Sequence, residues 1–137
     1  MTTSARKGDQ VPTGLLLIGH GSRATEAVRV LEQVAAALRR QFRRCFVEAA
    51  FFELNQPDVP AGIDRLVALG AARILFVPYS PYLDGQVGRD LPEHIAAARV
   101  RHPGLEIRIA PHLGYDARLV EVCADRIQRG LRDGRWL

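Results

Sequence analysis

Two kinds of apolar pattern alternate along the chain. Leu15 to Ile18, Cys45 to Phe52, Arg73 to Val77 and Glu106 to Ala110 are short stretches rich in apolar residues, bounded by glycine, proline or polar positions. Such stretches predict strands, and the continuous ones predict strands buried on both faces of a parallel sheet. Between them, apolar residues recur at three- and four-residue spacing. Val28, Leu31, Val34, Ala35 and Leu38 mark a helix, capped by Ser22 or Thr25, that runs to about Gln41. Asn55-Gln56-Pro57-Asp58 predicts a turn and a helix start; Ile63, Leu66 and Val67 follow, and Gly70 ends the helix. A third helix is expected from near Asp90, with Pro92 in its first turn and Ile95 and Ala98 or Arg99 marking its buried side. His102-Pro103-Gly104 breaks it. A last helix, from about Asp116, carries Leu119, Val122, Cys123, Ile127 and Leu131 on one face.

Strand and helix thus alternate four times. This predicts an α/β fold with a parallel sheet, right-handed crossovers and helices on both faces. A length of 137 residues suits one domain, placed at residues 14–137. Residues 1–13 are polar and lack the apolar segment of a secretory signal, so a disordered tail is expected there. No apolar run reaches the roughly eighteen residues of a membrane span. Cys45 and Cys123 are far apart without metal-type spacing, which fits a reducing cytoplasm. The formal net charge is +4, with Arg39-Arg40 and Arg43-Arg44 dominating one segment. Little aromatic interleaving accompanies these arginines. They suit a solvated helix end, and they argue against a nucleic-acid surface. A basic domain also attracts a polyanionic small molecule.

The chemistry concentrates after the first strand, at Gly19-His20-Gly21-Ser22-Arg23. His20 falls at the carboxyl end of that strand, just before a helix, the edge where open α/β sheets bind ligands. His20, Glu53 and Gln86 are each 33 residues apart, and each is expected just after a strand, on one rim. An imidazole and a carboxylate there can hold a borderline divalent ion or share acid–base work. Plainer alternatives are a histidine hydrogen-bonded within a tight turn and a solvated loop carboxylate. The loop also reads as an anion cradle of backbone N–H groups. It lacks the last glycine of a dinucleotide fingerprint, where Ala24 stands, and it has no Gly-Lys-Ser/Thr. Arg23 and Ala24 after Ser22 exclude a nucleophile elbow, and Gly19 stands where a histidine phosphatase needs arginine. His94 and His102 are expected at the surface. His112 suits either the rim or a strand-to-helix turn. Tyr79 and Tyr82 suit either a flat ligand or local packing.

The chain resembles the small class II sirohydrochlorin chelatases of the CbiX/SirB type. Three signatures carry the resemblance: Gly19 to Arg23 after an apolar strand; Phe51-Phe52-Glu53 with Pro57; and Val77-Pro78 with Asp90-Leu91-Pro92. Ala110 to Gly114 adds to them. The resemblance implies a chelatase-like three-layer α/β/α domain with a four-stranded, mainly parallel sheet. It implies insertion of Co²⁺, Fe²⁺ or Ni²⁺, as substrate, into a sirohydrochlorin-type tetrapyrrole, with no tightly bound cofactor. A homodimer in the cytoplasm is implied, with neither nucleic acid nor membrane as partner. His20 and Glu53 become the expected catalytic groups, and His20, Glu53 and Gln86 the expected metal-handling positions. Gln86 stands where the family has a second histidine, and glutamine is a weaker ligand that takes up no proton near neutral pH. Asp84, His112 or Glu53 would have to substitute; otherwise the chain binds tetrapyrrole or metal without inserting it. Ser22, Arg23, Tyr79, Ser80, Tyr82 and Arg89 are expected to meet the macrocycle. An anion-binding regulatory module is the reading from a different class.

Overall fold

The computed structural model describes residues 11–83 and 85–137. Its elements run β1 (Thr13–Gly19), α1 (Thr25–Gln41), β2 (Cys45–Phe51), α2 (Val59–Leu69), β3 (Arg73–Pro78), α3 (Gly85–Arg101), β4 (Glu106–Ile109) and α4 (Ala117–Asp133). The four strands form one sheet in the order β2-β1-β3-β4, and every pairing is parallel. The chain steps from β1 to β2 in one direction, and through β3 to β4 in the other. Right-handed crossovers therefore put α1 on one face and α2 and α3 on the other. The alternation of side chains along each strand divides the core accordingly. Leu17, Val47, Ala49 and Phe51 meet Leu31 and Ala35 of α1. Leu16, Ile18, Ala50, Ile74 and Phe76 meet the α2 and α3 layer. The three-layer α/β/α expectation is met, with a wholly parallel sheet.

α2 shows why this sequence makes this element. Asp58 caps it, its Oδ1 accepting from the Ala61 N–H at 2.9 Å. Gly70, at φ 112°, ends it and returns its N–H to the Leu66 and Val67 carbonyls. Gly62 lets the helix lie close to the sheet, since a Cβ there would come within 2.7 Å of Leu16 Cδ1 and 3.0 Å of Ala50 Cβ.

Three expectations need correction. α3 begins at Gly85, not near Asp90, so Pro92 lies inside it. An interior proline removes one helical hydrogen bond, but burying Val87 and Leu91 in the core holds the earlier turns. Second, β1 begins at Thr13, and the Pro12 carbonyl accepts from the Ala72 N–H at 2.9 Å. Order thus starts ahead of the expected boundary, while residues 1–10 lie outside the described part. Third, the capping site of α1 is Ala24, which makes no side-chain cap.

α4 departs from the layered plan. Asp116 caps it by accepting from the Arg118 N–H, yet none of its residues is buried. Leu119 is 37% exposed, Ile127 61% and Leu131 62%. Among the described residues, no helix is long and apolar enough to cross a membrane.

Candidate active site

The carboxyl ends of β1 and β2 do not separate where the strands stop. Their ladder, Gly19 opposite Phe51, continues into the loops. The Phe52 N–H donates to the Gly19 carbonyl at 3.0 Å, and the Glu53 N–H to the His20 carbonyl at 3.1 Å. Two further contacts tie the loops together. The Ser22 N–H donates to Asn55 Oδ1 at 2.7 Å. Gly21, at φ 101°, passes so near the Glu53 carbonyl that a Cβ would lie 1.8 Å from its oxygen. Only glycine satisfies both the left-handed backbone and that approach. His20 and Glu53, expected on one rim, are brought together on neighbouring backbone positions.

An open cleft of about 470 Å³ lies on the α1 side of this edge. His20, Gly21, Glu26, Val30, Phe51 and Tyr79 are among its lining residues. β3 enters the site through Tyr79, whose N–H donates to the Ile18 carbonyl at 2.8 Å. Tyr79 is partly exposed in the cleft, whereas Tyr82 is 68% exposed outside it. Arg23 and Arg89 are exposed at the surface.

The structure corrects three site expectations. Gln86 was placed just after a strand, but it is the second residue of α3, well beyond the end of β3 at Pro78. The β1–β3 register, with Ile18 opposite Pro78, brings Ser80 nearest to that position. The Gln86 side chain and Asp84 lie outside the described part. Ser80 turns inward: it is buried, and its Oγ donates to the Tyr82 carbonyl at 2.6 Å. The Ser22 N–H, expected to meet an anion, is occupied by Asn55.

Several residues were missed from sequence. Asn55 read as part of a turn, yet it clamps the His20 loop. Glu26, in the first turn of α1, lines the cleft. His94, expected at the surface, is half-buried, with its ring 6.4 Å from Phe52, which lies 6.1 Å from the His20 ring. His102 also departs from a plain surface role: its Nε2 lies 2.7 Å from Asp64 Oδ1 at the far end of α3. His112 stays exposed, and the next N–H, of Leu113, donates to the Ser80 carbonyl at 2.9 Å. The fourth strand's loop is thereby tied to the third strand's. Among the described residues, no three histidine, cysteine, aspartate or glutamate side chains form a group able to hold a metal.

A parallel α/β sheet with a histidine and a glutamate on adjacent loop positions at its carboxyl edge has the layout of a domain that binds ligands at the strand ends. The CbiX family model matches residues 14–130, and the chain belongs to that family. It is 33% identical to the sirohydrochlorin cobaltochelatase of Sulfurisphaera tokodaii, over 87% of this chain and 94% of that protein. It is 30% identical to the sirohydrochlorin ferrochelatase of Priestia megaterium, over 82% of this chain but 42% of that longer protein. The sirohydrochlorin chelatase SirB from Bacillus subtilis subspecies spizizenii, solved in complex with cobalt, superposes with a TM-score of 0.71 at 30% identity. The match covers 86% of this chain and 50% of SirB.

Proposed function

We propose that this protein is a chelatase that inserts a divalent ion, Co²⁺, Fe²⁺ or Ni²⁺, into sirohydrochlorin. One observation carries the reading: His20 and Glu53 stand on adjacent, hydrogen-bonded backbone positions at the edge of a cleft, in a CbiX-family chain. Metal insertion must remove two pyrrole protons and exchange water on the ion for ring nitrogens. His20 holds the incoming ion through a ring nitrogen. Glu53, exposed beside it, accepts pyrrole protons or shares the ion. The ion is in transit, so ring nitrogens and water complete its coordination. Apolar Val30 and Phe51, with Tyr79, offer a wall for the planar ring. Arg23 and Arg89 meet its peripheral carboxylates, each such charge-assisted pair contributing about 1.5–3 kcal/mol. No tightly bound cofactor is needed. Free thiols at Cys45 and Cys123 suit work in the cytoplasm.

A second copy of the chain is the proposed partner. α4 offers an amphipathic face with no buried residue. At the β4 edge of the sheet Ile109 is 39% exposed, and Tyr115, in the loop before α4, is 90% exposed. Two copies related by a two-fold axis can cover both surfaces reciprocally.

The test is insertion of several metals into sirohydrochlorin, followed by absorbance, with His20→Ala alongside. Loss of about a hundredfold or more in the variant is expected; equal rates remove His20 from the mechanism. Gln86 favours a second reading, a homologue that binds tetrapyrrole or metal without turnover. In that case the wild type binds without inserting, and Gln86→His creates insertion. The anion-module reading loses one of its loop N–H groups, because that of Ser22 is held by Asn55.

A further inference from the structure

A backbone outlier follows the glutamate of the site. Leu54 has φ 67°, and across it the Asn55 N–H donates to the Glu53 carbonyl at 2.8 Å. A hydrogen bond that spans one residue of positive φ makes a γ-turn of the rare, strained kind. Leucine gains little there by packing, because it is 63% exposed. A costly conformation without burial persists only where neighbouring contacts over-determine it. Here those contacts lead back to the other loop. Asn55 is half-buried, and its Oδ1 accepts from the Ser22 N–H at 2.7 Å. The Glu53 N–H donates to the His20 carbonyl at 3.1 Å. The hydrogen bonds thus close a ring. It holds Glu53 at both its N–H and its carbonyl, and the His20 loop at the His20 carbonyl and the Ser22 N–H.

We propose that Leu54 and Asn55 form a positioning turn. Asn55 fixes the His20 loop against Glu53, and the left-handed Leu54 aims the Asn55 carboxamide at that loop. Asn55 acts through the backbones of His20 and Glu53, not on the ion or the ring. Fixing the two backbones limits where the imidazole and the carboxylate can stand before either meets its target. Such preorganisation raises turnover more than affinity. The inference rests on the chelatase reading for what the two groups do, but the fixing of the loops is measured without substrate.

The experiment pairs amide hydrogen exchange by NMR with the kinetics of Co²⁺ insertion into sirohydrochlorin, both on the full chain. Wild type, Asn55→Leu, Asn55→Asp, Leu54→Pro and the double variant Asn55→Leu/Leu54→Pro are compared, with circular dichroism to check folding. Asn55→Leu keeps the size of the side chain and removes the acceptor. It is expected to speed exchange at the Glu53 amide, whose partner is the His20 carbonyl, by about tenfold or more. It should also lower kcat by about tenfold or more, with KM within about twofold. Asn55→Asp keeps an acceptor oxygen and should recover most of both. Proline cannot adopt φ 67°, so Leu54→Pro should match Asn55→Leu, and the double variant should lose little more. If Leu54→Pro does not fold, the two Asn55 variants decide. Unchanged Glu53 exchange in Asn55→Leu overturns the proposal, as does a wild-type kcat in that variant, or an Asn55→Asp as impaired as Asn55→Leu. Faster Glu53 exchange in Asn55→Leu, with no insertion by the wild type, leaves the fixing of the loops standing and removes the chelatase reading.

Discussion

At Gly21 two constraints coincide, and a comparison with Gly104 separates them. Both residues have positive φ, 101° and 87°, but a Cβ at Gly104 meets nothing within 4 Å. Gly104→Ala therefore costs only the left-handed strain, about 1 kcal/mol. Gly21→Ala adds a collision with the Glu53 backbone, which no side-chain rotation relieves. Its expected loss is about 2 kcal/mol or more, and it also moves His20 away from Glu53. Urea denaturation and the insertion assay on both variants check this; equal stability losses would remove the close approach as the cause. Residue-level legibility divides along the same line. The glycines around His20 and the even spacing to Glu53 place both side chains on the rim without reference to the rest of the fold. Asn55, Glu26 and His94 act through contacts with β1's loop, the cleft and Phe52, which no local pattern encodes. Even spacing does not give the register of Gln86, because a loop separates β3 from it and it lies in the first turn of α3.

Among the elements, strands were the most legible, because four short apolar stretches punctuated by glycine and proline leave few alternatives. Helix ends were legible where a cap is chemical, as with Asp58 and Gly70 of α2. They failed where burial overrides a local signal, as at Pro92 in α3. The middle of α2 and the end of α3 are joined by Asp64, whose Oδ1 accepts from the Arg101 guanidinium at 3.2 Å and sits 2.7 Å from His102 Nε2. The His102 hydrogen bond, opposed by desolvation and aided by the Arg101 guanidinium, holds the Asp64 carboxyl below its usual range. A carboxyl lowered in the folded state contributes stability above its unfolded pKa and loses it as pH falls through the folded one. The clamp's contribution therefore fades below about pH 4. It is small, because the Asp64 side chain is 53% exposed. Asp64→Asn should lower the urea midpoint slightly at pH 7, and the difference should shrink as pH falls below about 4. A difference that stays constant as the pH falls would show that packing, rather than charge, joins the helices.

For the whole molecule, the uneven arrangement of helices matters more than any single contact. One helix covers the α1 face, two cover the other, and α4 joins neither layer. The amphipathic spacing of α4 was legible, but what its apolar face meets was not, since periodicity records that a face is apolar and not which surface covers it. If a second copy does so, Ile127→Asp changes assembly and spares the fold. The expected result is a monomer by light scattering at concentrations where the wild type is a dimer, with unchanged circular dichroism. A monomeric wild type, or a variant still dimeric, excludes α4 as the contact.

The stitching of the β1 loop to the β2 loop has a mechanical corollary. His20 and Glu53 hang from a single rigid bank, with Gly21 wedged against the Glu53 carbonyl and Asn55 latched to Ser22. The opposite bank meets that joint through the Tyr79 N–H on the Ile18 carbonyl and through His94 of α3 beside Phe52. If that second bank sets the space left for the ion in a chelatase, ions of different radius are told apart there. Exchanging the segment between β3 and α3 should therefore retune metal preference where substitutions at His20 or Glu53 only abolish turnover.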